Sequence, residues 1–408
     1  MALLSLCWRS MWHRRATTLL CLLTIALSVA LLLAVESIRT SAKSSFANTI
    51  SGTDLVVGAR SSPVQLLLYS VFRMGDATND MSWNSYQTLA KHPMVSWTIP
   101  LSLGDSHRGY RVIGTTNAYF DHYQYGNGYA LSLAQGERFN GNFDVVIGAN
   151  VAKKLGYKLN QPIVIAHGTG STSFVKHDGF PFKVTGILAP TGTPVDDSLH
   201  VSLHAIEAIH QGAQNLPPNG ETLTPKAVTA VLLGLKNKSG TFHLQRAINR
   251  YPKEALSAIL PGVALNQLWS MMSLAEKALL LVSSAVVATG LIGMLAVMLS
   301  SLNERRREIA ILRATGAKMH QVVSLLLLET TLLSALGCIL GIGLLYITLL
   351  IVTPVLETHM GLRLEVSQLS SYQWQLIGYV LAIGSTMGAI PAYQAYRHSL
   401  SDGMTVKL

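Results

Sequence analysis

Charge is what this 408-residue sequence has least of. Asp, Glu, Lys and Arg make up 13% of it, about half the share usual in a soluble domain. That deficit excludes an ordinary soluble chain. The hydrophobic share of 49% is too low for a chain embedded throughout, so a few membrane spans must accompany a sizeable polar part. Cysteine is scarce as well. Cys7, Cys21 and Cys338 all lie in or beside apolar stretches, so disulfides cannot hold the polar part together. No Gly-x-x-x-x-Gly-Lys-Ser/Thr phosphate loop occurs, and the Gly- and Thr-rich run 167–173 lacks the lysine. A Gly-x-Ser-x-Gly elbow and a His-Glu-x-x-His helix are missing too. Asp196 and Asp197 are adjacent and would point apart on an extended loop, which is not the geometry of a working carboxylate pair. The chain is therefore expected to be non-catalytic and to bind no cofactor such as ATP itself.

What is present is four apolar runs, each long enough to cross about 30 Å of hydrocarbon. They cover 17–35, 278–302, 322–352 and 375–392. The first has a charged start like a signal peptide, but it is longer than a signal core and is expected to stay as an anchor. The third is long enough to tilt or project. Within it Gly337, Gly341 and Gly343 invite close helix approach, the first two at small-xxx-small spacing. Residues 36–277 contain no long apolar run and suffice for a domain with its own core. Residues 353–374 form only a short connection.

The formal net charge of +10 raises nucleic acid as a partner, and its placement argues against that. Arg9, Arg14 and Arg15 precede the first run; Arg305, Arg306, Arg307, Arg313 and Lys318 separate the second from the third; Arg397 and Lys407 follow the fourth. Residues 36–277 carry the two signs in near balance. Dense cations beside spans mark the cytoplasmic side. This puts the amphipathic segment 1–16, the segment 303–321 and the tail 393–408 inside, and 36–277 outside. The charge reads as topology.

Within 36–277, strand-like runs rich in Val, Ile and aromatics fall at 54–57, 95–103, 110–113, 145–147, 163–166, 182–188 and 228–235. Helix-like stretches fall at 82–91, 149–155, 203–210 and 241–250. Residues 211–225, with Pro217-Pro218 and Asn219-Gly220, read as a join. The expected fold is a membrane protein of four transmembrane α-helices, arranged one plus three, with a large α+β extracytoplasmic domain of two lobes between the first two. Most of the 13 histidines lie in that domain. His200, His204 and His210 are candidate zinc ligands, with His167 and His177 nearby in sequence, because imidazole suits zinc. Residues 200 and 204 share a face only if their segment is helical, and scattered surface histidine is the competing reading.

Residues 303–346 closely resemble the signature of the MacB/FtsX permease superfamily. The matching positions are Glu304, Arg305, Glu308, Ile309, Leu312, Arg313, Ala314, Gly316, Ala317 and Glu329. Pro391, Ala392, Ala395 and Ser399 match the family's ending, while 53–59 and 182–198 resemble segments of its periplasmic domain. The resemblance implies a bacterial inner-membrane permease, with a short helix docked on an ABC ATPase dimer that binds ATP and Mg. It also implies a second copy of the permease and no solute passing through the spans. Residues 304–318, Lys318 included, are then the coupling element. Its local physics agrees: Glu304 and Glu308 stand four apart with arginines in pairing range, and Gly316 allows a helix stop. With no phosphate loop present, the ATPase is expected on another chain, as in the LolC/LolE lipoprotein exporters. Glu329 is expected to pair with Arg313 or Lys318. The resemblance leaves three roles open: efflux through an adaptor, export of lipoproteins or other envelope proteins, and regulation of a partner such as a cell-wall hydrolase. Zinc-linked transport is a further alternative from the histidines.

Overall fold

The computed structural model describes residues 2–168, 175–176, 181–211, 223–314, 316, 318–360 and 368–401. The chain divides into two compact units. One holds 1–41, 273–355 and 364–408; the other holds 42–272 and 356–363.

The first unit is helical. Four helices are long and apolar enough to cross a membrane: Arg15–Asn48, Pro261–Leu302, Met319–Thr353 and Ser371–Ala395. Each contains one of the apolar runs, and each is longer than its run. The first is one helix of 34 residues, about 51 Å at 1.5 Å per residue. Nothing in 36–48 breaks a helix, so the backbone ladder continues past the apolar stretch. A shorter helix, Ala2–His13, precedes it. The fourth run is carried by Ser371–Met387 and Ala389–Ser401. Its start is fixed by a capping box in which Ser370 and Gln373 satisfy each other's backbone N–H groups.

Small residues set the helix contacts in this unit. A Cβ at Gly337 would stand 2.5 Å from the Ile25 side chain, and one at Gly341 would stand 2.8 Å from Val29. The small-xxx-small pair therefore seats the third span on the first. Gly343 faces open space and plays no such part.

The second unit is built on a sheet of 12 strands. Its main order is Leu256–Ile259, Leu55–Ala59, Ala230–Leu235, Val95–His107, Tyr110–Thr115, Ser198–Ser202, Asp144–Ile147, Phe182–Leu188 and Leu133–Gly136. The strand Val95–His107 serves both halves. Its first part pairs with Ala230–Leu235 and its second with Tyr110–Thr115. The register shifts between Leu103 and Asp105, where Gly104 takes a φ of 142°, as a bulge requires. Alternation distributes the core. Val56, Ile99, Leu232, Ile113 and Val146 face one cluster that runs across the whole sheet with Leu66, Tyr119 and Tyr123. On the other face, Val57, Val231 and Leu233 pack with Leu244 and Ile248, while Val112, Val145 and Ile147 pack with Phe182 and Ile206. Among the described residues the sheet is continuous, and what is divided is the packing of one face. The expected join lies mostly outside the described residues, which omit 212–222.

Candidate functional site

The segment singled out in the sequence, 303–321, is not a separate short helix. A single helix runs from Pro261 to Ala314 over 54 residues, so Glu304, Arg305, Glu308, Ile309, Leu312, Arg313 and Ala314 occupy the last three turns of the second span's own helix. The physical reason is composition: 294–314 contains neither glycine nor proline, so nothing interrupts the backbone ladder. The side chains of 303–315 lie outside the description, as does residue Ala317. Gly316 takes a φ of 98°, the left-handed turn expected of it. Lys318 is exposed, and its backbone N–H donates to Gln321 Oε1 at 2.9 Å, starting the helix Met319–Met360. Two helices therefore meet at a tight Gly316 turn, one of them unbroken from residue 261.

Glu329 is buried in the third span. About ten residues of helix, roughly 15 Å of rise, separate it from Lys318, so that expected pairing does not form. Arg313, its other expected partner, has no described side chain.

A polar node at the other ends of the spans was missed in the sequence. Arg39 Nε and Nη2 donate to both oxygens of Glu36 at 2.9 and 2.8 Å. This is a fork pairing, stronger than a single hydrogen bond. Its Nη1 reaches Glu276 Oε2 at 3.4 Å, and its guanidinium lies 6.0 Å from the Tyr372 ring. Beside it, Gln373 Nε2 donates to Ser37 Oγ at 2.8 Å and to the Leu33 carbonyl at 3.3 Å. Residues from the first, second and fourth helices are thus tied at one level. The signal was readable: Glu36 and Arg39 stand at i,i+3 just past the first apolar run.

Of the candidate zinc ligands, His200, His204 and His210 do not come together. His200 lies on the strand Ser198–Ser202, whereas His204 and His210 lie on the helix Leu203–Gln211, so 200 and 204 share no helical face. His200 is fully buried against the rings of Tyr119 and Phe120, at 4.8 and 6.0 Å. Burial, and the Arg73 guanidinium nearby, push its pKa down to about 3, and the Val146 backbone offsets this only slightly. His204 Nδ1 contacts the Leu223 carbonyl at 2.6 Å. His210 Nε2 lies 3.4 Å from Asp105 Oδ1, and that hydrogen bond holds its pKa above the usual range against the opposing effect of burial. Among the described residues no three His, Cys, Asp or Glu side chains form a metal-holding group. His177 lies outside them.

A family described as the MacB-like periplasmic core domain matches residues 18–249, and one described as the FtsX-like permease C-terminal region matches residues 280–400. "Macrolide export ATP-binding/permease protein MacB" of Azoarcus sp. (strain BH72) is 24% identical over 396 residues, covering 93% of this chain and 55% of its own length. "Pyoverdine export ATP-binding/permease protein PvdT" of Pseudomonas fluorescens (strain Pf0-1) is 24% identical over 366 residues, covering 83% and 50%. The chain spans about half the length of the curated relatives it matches. The solved periplasmic region of MacB from Actinobacillus actinomycetemcomitans aligns with 54% of this chain and 94% of its own at 10% identity, with a TM-score of 0.35. That likeness is too loose to add to the family matches.

Proposed function

Since the chain belongs to the family of the MacB-like periplasmic core domain and carries an FtsX-like permease C-terminal region, we propose that it is an ABC transporter permease that transmits ATP-driven motion from a cytoplasmic ATPase dimer to its mixed α/β domain. ATP and Mg bind on the ATPase, whose phosphate-loop motif these 408 residues do not contain. Both termini and 303–321 face the cytoplasm of a bacterial inner membrane, which the Arg and Lys placement supports. A second copy of the permease completes the machine.

One observation carries this reading. The helix that ends at Ala314 is the same helix that begins at Pro261, so a push on 304–314 acts on a continuous rod. Gly316 and Lys318 then form the elbow leading into the third span. Within this reading Glu304, Arg305, Glu308, Arg313 and Lys318 make the polar contacts to the ATPase, while Ile309, Leu312, Ala314 and Ala317 fill the dock. The work done is export. Relatives named for macrolide and pyoverdine export favour that over lipoprotein extraction or hydrolase control.

The test uses the permease assembled with its ATPase, with nitroxides at Lys238→Cys in two copies and the native cysteines replaced. ATP should change the inter-label distance in the parent protein. Glu308→Arg and Gly316→Pro should bind nucleotide in the assembly yet abolish the change. A full ATP-dependent change in both variants would reject the coupling role. Photo-crosslinking from the mixed domain in cells then separates the jobs: a captured adaptor or outer-membrane duct supports export, and captured lipoproteins or a hydrolase overturn it.

A further inference from the structure

The mixed domain holds a feature that the coupling role does not use. A cleft of about 450 Å³ opens between the end of the first helix and the loops around residues 72–74, 109–111 and 192–194, within the size range of small-ligand sites. Phe46, Phe72 and Met74 give it an apolar side; the two phenyl rings stand 4.6 Å apart, and Met74 is 52% exposed. Three cations line the same cleft, and they are not equivalent. Arg111 donates to Asp76 at 2.6 Å, and Lys154 sits 3.5 Å from Asp197. Those two are already neutralised.

Arg73 is different. It is only 9% exposed. Its Nη1 donates to the Ser70 carbonyl, and its Nε has no acceptor among the described residues. No carboxylate among those residues pairs with it. The Tyr119 hydroxyl lies beside it and also lacks a well-formed hydrogen bond, but it supplies no negative charge. Buried charges are ordinarily paired, because desolvating a lone ion is costly. Arg73 also takes a φ of 61°, a conformation that costs a side-chain-bearing residue energy and clusters at ligand-holding positions. The fold therefore holds an uncompensated cation, in a strained conformation, at the wall of a cleft with one apolar side.

We propose that this cleft binds an oxyanionic amphiphile, with the carboxylate or phosphate on Arg73 and the apolar body against Phe46, Phe72 and Met74. A guanidinium presents a planar fork that two oxygens of such a head can engage together. Arg111 and Lys154 stay with Asp76 and Asp197 and are not needed to bind the head. An alcohol would lack the counter-charge, and a bare anion would leave the apolar side unused. The assignment is independent of the coupling role, since binding is read without ATP.

The test is calorimetric titration of the full chain in phosphatidylcholine nanodiscs, with empty discs subtracted. The probes are octyl phosphate, octanoate, octanol and inorganic phosphate. The two amphiphilic anions are expected to bind at least tenfold more tightly than the other two. Arg73→Gly should weaken them at least tenfold while keeping the melting temperature, because glycine tolerates that φ. Met74→Glu, at an exposed position, should weaken them similarly by repulsion. Octanol or inorganic phosphate binding as tightly as octyl phosphate would overturn the proposal, as would no binding at all or unchanged affinity in both variants. Discs containing phosphatidic acid separate the sources. Competition by that lipid supports a membrane lipid in the site, and undiminished titration supports a soluble amphiphile.

Discussion

His200 shows how a single residue can depart from what its letter suggests. A histidine near two others invites a metal reading, yet here it is sealed between aromatic rings on a strand whose five residues are all buried. The strand went unread although Ser198, His200 and Ser202 alternate with Leu199 and Val201, and that alternation would have implied one wet face. Both faces of the sheet are covered, so its polar residues are buried too. The consequence is a pH effect of definite sign. Between about pH 3 and 6.5 the unfolded chain protonates this imidazole and the folded chain does not, so stability falls as pH falls. His107 is shifted down as well, chiefly by burial, and adds to the effect. His210 opposes it: its raised pKa gives stability that is present at low pH and lost as pH rises through the folded value. Comparing the parent with His200→Leu isolates one residue. Going from pH 7.5 to 5.5, the parent should lose about 1.4 kcal/mol more than the variant, read from thermal melts in detergent. Equal losses would mean that His200 is solvated.

At the scale of elements, helix existence was legible and helix extent was not. Ser62-Pro63 is a start signal for Pro63–Ser70, with Ser62 Oγ accepting from the Gln65 N–H and proline at the first turn. It was passed over because its apolar Leu66-Leu67-Leu68 run shows no helical period. The long helices outrun their apolar runs because hydrophobicity reports the solvent around a helix, whereas its end is set by a breaker such as Gly316. Close approach between helices was read correctly at Gly337 and Gly341 from spacing alone. The same packing was missed in the fourth apolar run, although Gly384 and Gly388 stand there at the same spacing; a Cβ at Gly384 would stand 2.1 Å from Ser334 Oγ, which is wholly buried. Gly384→Val should therefore cost about 1–3 kcal/mol by overpacking, whereas Gly343→Ala, in open space, should be neutral or gain up to about 1 kcal/mol of helix propensity. Cys7, Cys21 and Cys338 are all buried, so a thiol-reactive dye reports unfolding directly. An unchanged melt for Gly384→Val would show that the third and fourth helices are not seated on each other there.

At the scale of the molecule, three helices, Arg15–Asn48, Pro261–Ala314 and Met319–Met360, contribute residues to both compact units. The division falls inside them, after Ser41, after Met272 and after Val355. Under the proposed coupling, motion entering at 304–314 must leave through 261–272, and the intervening backbone ladder is what carries it. Leu274 offers a clean place to cut that path. It is 78% exposed, so replacing its side chain disturbs little packing, while proline there removes one ladder hydrogen bond and clashes with the preceding turn, kinking the helix. Leu274→Pro, assembled with the ATPase, should hydrolyse ATP at close to the parental rate but lose most of the ATP-dependent distance change at residue 238. Leu274→Ala should keep both. Retention of the full distance change with a kinked helix would make Pro261–Ala314 an anchor, leaving Arg15–Asn48 and Met319–Met360 as the elements that transmit.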